Sequence, residues 1–220
     1  MRKKKLALIH TVNWYEKVIT NPFAMPWLEK NPNVEIINIM DDSLLAESLP
    51  NGGPTKAVIR RMINYFQAAE ATGADVIMCT CTTMGEATLT ARKFINVPVF
   101  NIDEPMAKVA IAMGEKFGIL ATVPTSAPAT KKLLDIEAQK KGKQIDIKIV
   151  INEEAFKNLL AGNIEKHDEL VHSELEKLQN EVDVIVLGQI SLAQIKYKTK
   201  VPMFQVGHSG FDYATKLLEQ

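Results

Sequence analysis

The chain has 220 residues, 46% of them hydrophobic and 24% charged, which is ordinary usage for one large globular domain or two small ones. The 26 Lys and Arg residues balance the 26 Asp and Glu residues, so no net field favours nucleic acid or an anionic membrane. No apolar stretch approaches the ~20 residues of a membrane span, and the run from Leu6 to Ile9 is too short for a signal peptide, which predicts a cytoplasmic protein.

Apolar runs rich in Val and Ile alternate with helical patterns, which is typical of βα units and a parallel sheet. The predicted strands are Leu6–His10, Val34–Ile39, Val76–Cys81, Val97–Asn101, Gly118–Thr122, Ile145–Ile151, Val184–Leu187 and Met203–Val206. The predicted helices begin near Thr55, Thr83, Pro105, Pro128, Glu153, His167, Ser191 and Gly210. Residues 13–33 depart from this alternation because prolines interrupt them. We expect this segment, which holds both tryptophans, either to pack at a subunit or interdomain surface or to form a partly mobile flap over the ligand.

The second half of the chain repeats the order of the first. The aligned pairs are Lys5–Val12 with Lys116–Val123, Asp75–Met84 with Asp183–Leu192, and Val97–Phe100 with Val201–Phe204. Three matches in the same order indicate a duplication. We therefore predict an α/β protein of two pseudo-symmetric Rossmann-like halves, each with a four-stranded, mostly parallel sheet, and with the active site in the cleft between them. The predicted halves are residues 1–104 plus 208–220, and residues 105–207.

The chain has two cysteines, Cys79 and Cys81, which are too close in sequence for an unstrained disulfide. A metal site would need further ligands, so we predict none. Cys79 lies in mid-strand and is expected to be a small buried hydrophobe. Cys81 ends its strand just before a predicted helix, where helix N–H groups and the hydroxyls of Thr82 and Thr83 would favour a thiolate or bind a carboxylate.

Further candidate residues stand at corresponding positions of the two halves. Thr83 to Glu86 and Ser191 to Gln194 both fit the capping-box pattern of a helix start. Gln189 aligns with Cys81, and Thr122 aligns with Thr11. The predicted substrate-binding residues are Thr11, Asn13, Thr82, Thr83, Thr122, Thr125, Gln189 and Ser191.

Two of the four histidines follow strands at the predicted cleft. His10 ends the first strand and His208 follows the last, so either could supply a second base. His167 and His172 lie in a polar helix and are expected to be solvated.

The segments from Asp75 to Thr83 and from Val184 to Gln189 resemble the two signatures of the aspartate/glutamate/hydantoin racemase superfamily, and the likeness extends over essentially the whole chain. Members of that superfamily have two pseudo-symmetric α/β halves and two cysteines on opposite faces of a substrate α-carbon, and they need no cofactor or metal. The resemblance implies a racemase or isomerase that uses Cys81 without a cofactor on a small carboxylic acid or carbonyl compound. A homodimer is implied by the likeness alone.

The second signature departs from the superfamily because Gln189 stands in the place of its cysteine. A glutamine amide does not accept a proton near neutral pH, so a symmetric two-thiol reaction is not expected. Three alternatives stay open. A different base, such as His10 or His208, could act across from Cys81. Cys81 alone could protonate one face after decarboxylation, or act as a nucleophile in a lyase or cis–trans isomerase reaction. The chain could also bind a small acid without turnover.

Overall fold

Eight strands form two separate four-stranded sheets in the computed structural model, which describes residues 2–220. The strands are β1 Lys4–His10, β2 Val34–Met40, β3 Val76–Cys79, β4 Val99–Asn101, β5 Lys116–Ala121, β6 Asp146–Ile151, β7 Val184–Leu187 and β8 Met203–Gln205. Their orders are β2-β1-β3-β4 and β6-β5-β7-β8, and every neighbouring pair is parallel. These sheets confirm the predicted fold class, including its four strands per half.

Helices connect the strands. The α-helices of residues 2–220 are α1 Met25–Lys30, α2 Ser43–Ser48, α3 Lys56–Ala71, α4 Gly85–Ala91, α5 Glu104–Ala110, α6 Ser126–Lys140, α7 Glu153–Leu160, α8 Ile164–Leu178 and α9 His208–Leu218. A π-helix runs over Glu16–Ala24, and short 3-10 turns cover Thr82–Met84 and Ile190–Leu192.

The central strands of each sheet are covered on both faces. All four residues of β3 and all four of β7 are buried, as their continuous apolar runs require. In the first core, Met62 and Phe66 of α3 pack against β1 and β3, and in the second, Phe117 of β5 packs among residues of α5 and α6. Of the edge strands, β2 is only partly buried and β6 is mostly exposed.

The chain divides into two compact units, and each has a continuous core. The first unit contains the residues up to Pro105 together with Gly207–Gln220, and the second contains Met106–Val206. Aligned residues make the same local contact in both units. Asp75 accepts the backbone N–H of Lys5 at 2.8 Å, and Asp183 accepts that of Lys116 at 2.9 Å. The repeat in the sequence is therefore a repeat of side-chain contacts as well.

Helix α9 completes the first unit from the far end of the sequence. The indole N–H of Trp27 donates to the Thr215 hydroxyl at 2.8 Å, and the Trp27 and Phe211 rings lie 5.6 Å apart. Gly207 precedes the helix with a φ of 114°, and a Cβ there would meet the Phe23 ring at 2.6 Å. Glycine is therefore required where the chain enters α9.

Residues 13–33 are more regular than the prolines suggested. The π-helix and α1 cover most of the segment, and Pro26 sits in the first turn of α1, where its missing N–H needs no acceptor. Phe23 and Trp27 are buried inside the first unit rather than left at a surface.

Both predicted capping boxes are wrong, and so is the predicted helix start at Ser191. Thr83 and Ser191 both lie within the 3-10 turns, and neither acts as the cap of an α-helix. Helix α4 begins only at Gly85, and no α-helix follows the second turn in the segment up to β8. The capping-box pattern fails here because the chain tightens into a 3-10 turn as it leaves each central strand. Helices α6, α8 and α9 begin two or three residues before their predicted starts.

No helix within residues 2–220 combines the length and the apolar character needed to cross a membrane.

Candidate active site

The polar residues of the first unit gather where its parallel strands end. Thr11 follows β1, Cys81 follows β3, and Asn101 is the last residue of β4. Because parallel strands place their carboxyl ends at one edge, these residues meet there. The Asn101 side-chain amide donates to the backbone carbonyl of Cys81 at 3.2 Å, which fixes the backbone beneath the thiol.

Cys81 is partly exposed, and four hydrogen-bond donors lie near its sulfur. Burial raises the pKa of the Cys81 thiol, and this effect outweighs the Thr11 and Thr83 hydroxyls and the backbone N–H groups of Thr83 and Met84, which lower it. The thiolate expected from the sequence is therefore not the resting form. The physical reason is burial, because the loss of hydration disfavours the charged form more strongly than the two hydroxyls and two backbone N–H groups favour it.

Cys79 is the last residue of β3 rather than a mid-strand residue, but it is the buried side chain that the sequence predicted. Its side chain is fully buried in the first core, and its thiol donates to the Cys81 carbonyl at 3.7 Å. Burial raises the pKa of the Cys79 thiol far above its ordinary value, so it stays neutral.

Several polar atoms around Cys81 are buried without a hydrogen-bond partner. They are Thr11 Oγ1, Thr82 Oγ1, Asn101 Oδ1 and Asp103 Oδ1. The Thr11 hydroxyl is near enough to lower the Cys81 pKa, but it makes no hydrogen bond of ordinary geometry. Buried polar groups are nearly always paired, so four such atoms beside one thiol indicate a place built for something other than protein packing.

Two adjacent carboxyl groups at this edge were missed by the sequence analysis. Glu104 accepts two hydrogen bonds from Arg92, at 2.5 and 2.7 Å, and one from the Asn101 backbone N–H at 2.7 Å. Asp103 has no such cation. Burial, followed by the charge of Glu104, raises the pKa of Asp103 to about 7. The sequence could have indicated these two acids, because both come just after the predicted strand Val97–Asn101, which lies in the same half of the chain as Cys81.

In the second unit, Gln189 uses its own amide to fill the corresponding site. Its Oε1 accepts the backbone N–H groups of Thr122 and Val123, at 3.1 and 2.9 Å, and the Ser126 hydroxyl at 3.2 Å. Its Nε2 donates to the hydroxyls of Thr122, at 2.8 Å, and Ser191. Every hydrogen-bonding group of the amide is thus engaged within the protein.

The structure brings together Thr122, Gln189 and Ser191, whose role in substrate binding stays a prediction. Thr125 lies buried in the loop just before α6, and Asn13 is exposed and donates to Asp42 at 3.1 Å. Their role in substrate binding stays a prediction.

The two histidine candidates lie in different settings. His10 is buried. Its Nδ1 lies 3.0 Å from the Thr80 hydroxyl, and its Nε2 lies 2.9 Å from the side-chain oxygen Oδ1 of Asn38. Burial lowers the pKa of His10 to about 4, despite the opposing hydrogen bond of Asn38. His208 is exposed at the start of α9, edge-on to Phe23 at 4.9 Å. The contacts of His10 favour a structural role, and His208 stays a candidate base.

The expectation for the other two histidines is corrected in part. His167 is 2% exposed rather than solvated, because α8 turns it inward, and its Nδ1 lies 2.7 Å from Asp168. His172 is partly buried against Tyr197, with ring centroids 5.0 Å apart.

Within residues 2–220, no three His, Cys, Asp or Glu side chains are grouped so that they could hold a metal ion.

Comparisons with known proteins bear on the whole chain. The sequence pattern of the Asp/Glu/Hydantoin racemase family matches residues 28–214. A glutamate racemase from Aquifex pyrophilus is 29% identical over 133 residues, which are 58% of this chain and 50% of that protein, so the match spans half of this curated relative.

Two solved structures have similar folds. An aspartate racemase homologue from Pyrococcus horikoshii has 18% identity and a TM-score of 0.72, with 100% of each chain covered. A glutamate racemase from Francisella tularensis, in complex with D-glutamate, has 16% identity and a TM-score of 0.74, with 100% of this chain and 82% of that chain covered. The resemblance seen in the sequence is confirmed, and the chain belongs to the Asp/Glu/hydantoin racemase family.

Proposed function

We propose that this protein is an isomerase of the racemase type, which transfers a proton at the carbon next to a carboxylate or carbonyl group of a small acid. Cys81 is the proton-transferring group, and no cofactor takes part. The observation that carries this proposal is the set of four donors, two hydroxyls and two backbone N–H groups, at one partly exposed sulfur.

The raised pKa of Cys81 suits one direction of proton transfer directly. A neutral thiol delivers a proton to a carbanion, and it becomes a thiolate as it does so. To remove a proton from substrate, the thiol must first ionise, and the four donors lower the cost of that step. The larger demand is the charge that develops on the substrate oxygen, since each well-placed donor to such an oxyanion contributes about 3–4 kcal/mol. Thr82, whose hydroxyl has no partner, is the donor closest in sequence to the thiol.

Gln189 supports a second candidate, which is one-sided chemistry by a single thiol. Its amide neither accepts a proton near neutral pH nor has a free hydrogen-bonding group. A decarboxylase, lyase or cis–trans isomerase needs only the thiol of the first unit. Inversion at carbon needs a second proton-transferring group, and His208 is the exposed candidate for it.

The substrate class is a small acid with a hydrogen next to its carboxylate. The relatives named for glutamate and aspartate make these amino acids the first compounds to test. Arg92, the arginine nearest to Cys81 in sequence, is held by Glu104 and by the Val99 carbonyl, so it is not available to bind a second carboxylate. Acids with one carboxylate and cyclic amides such as hydantoins therefore belong in the same screen.

The test is solvent deuterium incorporation at the α-carbon. The protein is incubated in D₂O with each acid, and the exchange and configuration at the α-carbon are measured by NMR and chiral chromatography. We expect exchange with the wild type, and a loss of about 100-fold or more in the Cys81→Ser variant, because a hydroxyl is a far weaker acid than a thiol. Cys79→Ala is the matched control, since that thiol is buried and should not be needed.

Each outcome has one meaning. Exchange with inversion supports racemisation, and exchange with retention supports one-sided proton transfer. Exchange that survives in Cys81→Ser contradicts the role of Cys81. An acid that binds without exchange under any condition would identify a binding protein instead. A homodimer stays a prediction of the family likeness, which sedimentation can decide.

A further inference from the structure

Asp103 is an ionisable group that the proposed chemistry does not use. Cys79 of β3 pairs in register with Asn101 of β4, and Cys81 and Asp103 each lie two residues beyond that pair, at the same edge of the sheet. Its side chain is 2% exposed, and its Oδ1 has no hydrogen-bond partner. The Thr82 hydroxyl and the Asn101 side chain both lie close enough to act on its ionisation, and each also has an unpaired oxygen. These three residues form a buried polar cluster next to the thiol.

The neighbouring acid, Glu104, cannot take the same part. Arg92 and the Asn101 backbone N–H bind its carboxylate oxygens and hold the side chain in place at the start of α5. Adjacent carboxyl groups in such different surroundings have separate roles, Glu104 as part of an ion pair and Asp103 as a buried acid whose pKa is raised.

Two groups that act on the ionisation of Asp103, the Thr82 hydroxyl and the Asn101 side chain, are also linked to the backbone of Cys81. Thr82 is the residue after Cys81 and begins the turn whose N–H groups face the sulfur. Asn101 holds the Cys81 carbonyl oxygen. On the other side, the charge of Asp103 acts on the Cys79 thiol, which also donates to that carbonyl.

The duplication pairs this acid with the thiol. Extending the alignment of Val97–Phe100 with Val201–Phe204 by three residues places Asp103 opposite Gly207, just as Cys81 stands opposite Gln189. The second sequence repeat therefore has neither group at these positions, and the first repeat has both.

We propose that Asp103 is a positioning residue that controls the ionisation of the Cys81 thiol. When Asp103 is a neutral acid, it does not hinder ionisation of the Cys81 thiol. When Asp103 is a carboxylate, its negative charge disfavours a second negative charge on the Cys81 sulfur. The inference rests on the proposed role of Cys81 as the reactive group, but its test needs no substrate.

The direction of the effect follows from the groups around Asp103. Its pKa is raised to about 7, so it changes from neutral to anionic as the pH rises through neutrality. From β3 it is faced by the thiol of Cys79, and the anion of Glu104, paired with Arg92, lies next to it in sequence. Helix α9 packs against β3 with His208 and Asp212 exposed and with Tyr213 against Phe100. An ionised Asp103 thus adds a negative charge near the Cys81 sulfur, and Arg92 does not offset it because its guanidinium is paired with Glu104.

The experiment measures the alkylation rate of Cys81 by iodoacetamide from about pH 5 to pH 10, with mass spectrometry to locate the label. For the wild type we expect the rise of the logarithmic rate with pH to flatten near pH 7 and then to resume. The Asp103→Asn variant should lose this step and should react about tenfold faster than the wild type above pH 8, with no difference below pH 6. Asp212→Asn, which removes an exposed carboxylate from α9, is the control and should keep the wild-type profile.

Two results would overturn the proposal. One is a wild-type profile with a single ionisation and no step, which needs no variant and so does not depend on whether Asp103→Asn folds. The other is a variant whose rate differs from the wild type by the same factor at every pH, since a merely structural change has no reason to follow the titration of Asp103. Deuterium exchange can fail or succeed independently of either result, so the failure of this inference is distinct from the failure of the proposed function.

Discussion

Gln189 is the residue at which the two units differ most in chemistry. The same strand end carries a thiol in the first unit and an amide in the second, and the amide closes a network of two backbone N–H groups and three hydroxyls. Such a network favours one arrangement of the loop after β5, because each buried donor in it has an acceptor only in that arrangement. The second unit thus keeps the shape of the site with no group that titrates near neutral pH at this position.

Replacing Gln189 tests how much this network stabilises the fold. The Gln189→Leu variant would leave the N–H groups of Thr122 and Val123 buried without acceptors, which should lower the free energy of unfolding by about 2–4 kcal/mol. Gln189→Glu is the matched control. Its carboxylate still accepts both N–H groups, and the Thr122 and Ser191 hydroxyls can turn to donate to it, so the loss should be smaller. Urea denaturation measures both, and equal losses would show that the network contributes little.

At the scale of elements, His10 connects three adjacent strands. It ends β1, contacts Asn38 of β2 and Thr80 after β3, and stacks on Tyr15 with ring centroids 4.1 Å apart. Because the side-chain oxygen of Asn38 accepts, Nε2 carries the proton of the neutral ring, while the single hydroxyl hydrogen of Thr80 has two acceptors in reach, Nδ1 at 3.0 Å and the Ile9 carbonyl oxygen at 3.1 Å. A protonated ring would be a charge buried away from water, and this cost lowers the pKa of His10.

The pH dependence of stability follows from this arrangement. The folded pKa of His10, about 4, lies below its unfolded value of 6.5, so the unfolded chain binds a proton first as the pH falls. The stability contributed by neutral His10 is full above pH 6.5 and is lost between pH 6.5 and 4, by up to about 3 kcal/mol. In His10→Gln, the destabilisation relative to the wild type should therefore shrink by this amount from pH 7 to pH 4.

Comparing variant with wild type at each pH removes the opposite contribution of Asp103, whose raised pKa makes the fold less stable as pH rises from about 4 to 7. His208→Gln, at an exposed histidine, is the control for His10. A His10→Gln destabilisation that does not change with pH would mean that His10 is not buried in its neutral form.

The elements also show what local pattern can and cannot predict. All eight strands were predicted to within a few residues, because buried parallel strands are continuous runs of Val, Ile and Leu whatever surrounds them. The turn after Cys81 was taken for a helix start because the capping-box pattern does not distinguish a 3-10 turn from an α-helix. The raised pKa values of Cys81 and Asp103 depend on burial, which is set by packing from distant parts of the chain, and no local pattern contains that information.

At the scale of the whole molecule, the first unit is built from two separated stretches of sequence. Helix α9 returns from residue 208, and Gly210 packs so closely on Ile102 that a Cβ would lie 2.7 Å from its side chain. Phe211 is 1% exposed, in contact with Trp27 of the first stretch. The second unit is a single continuous stretch.

A matched pair of core variants tests whether these units are energetically separate. Phe211→Ala should destabilise the first unit by about 3–5 kcal/mol and should raise amide hydrogen exchange mainly in residues 2–105 and 207–220. Phe117→Ala, at an equally buried ring of the second unit, should raise exchange mainly in residues 106–206. Exchange measured by mass spectrometry decides the matter, and equal rises throughout the chain in both variants would show one cooperative unit.

The late position of α9 has a consequence for the newly made polypeptide. During translation, residues 106–206 leave the ribosome before residues 208–218, so the inserted unit has all of its strands while the earlier one still lacks a helix. Until that helix arrives, the nascent chain displays Phe23 and Trp27 without their final cover. Exposed aromatic surface makes an incompletely folded chain prone to aggregation, so changes in α9 should lower the yield of folded protein during synthesis as well as the stability of the finished fold.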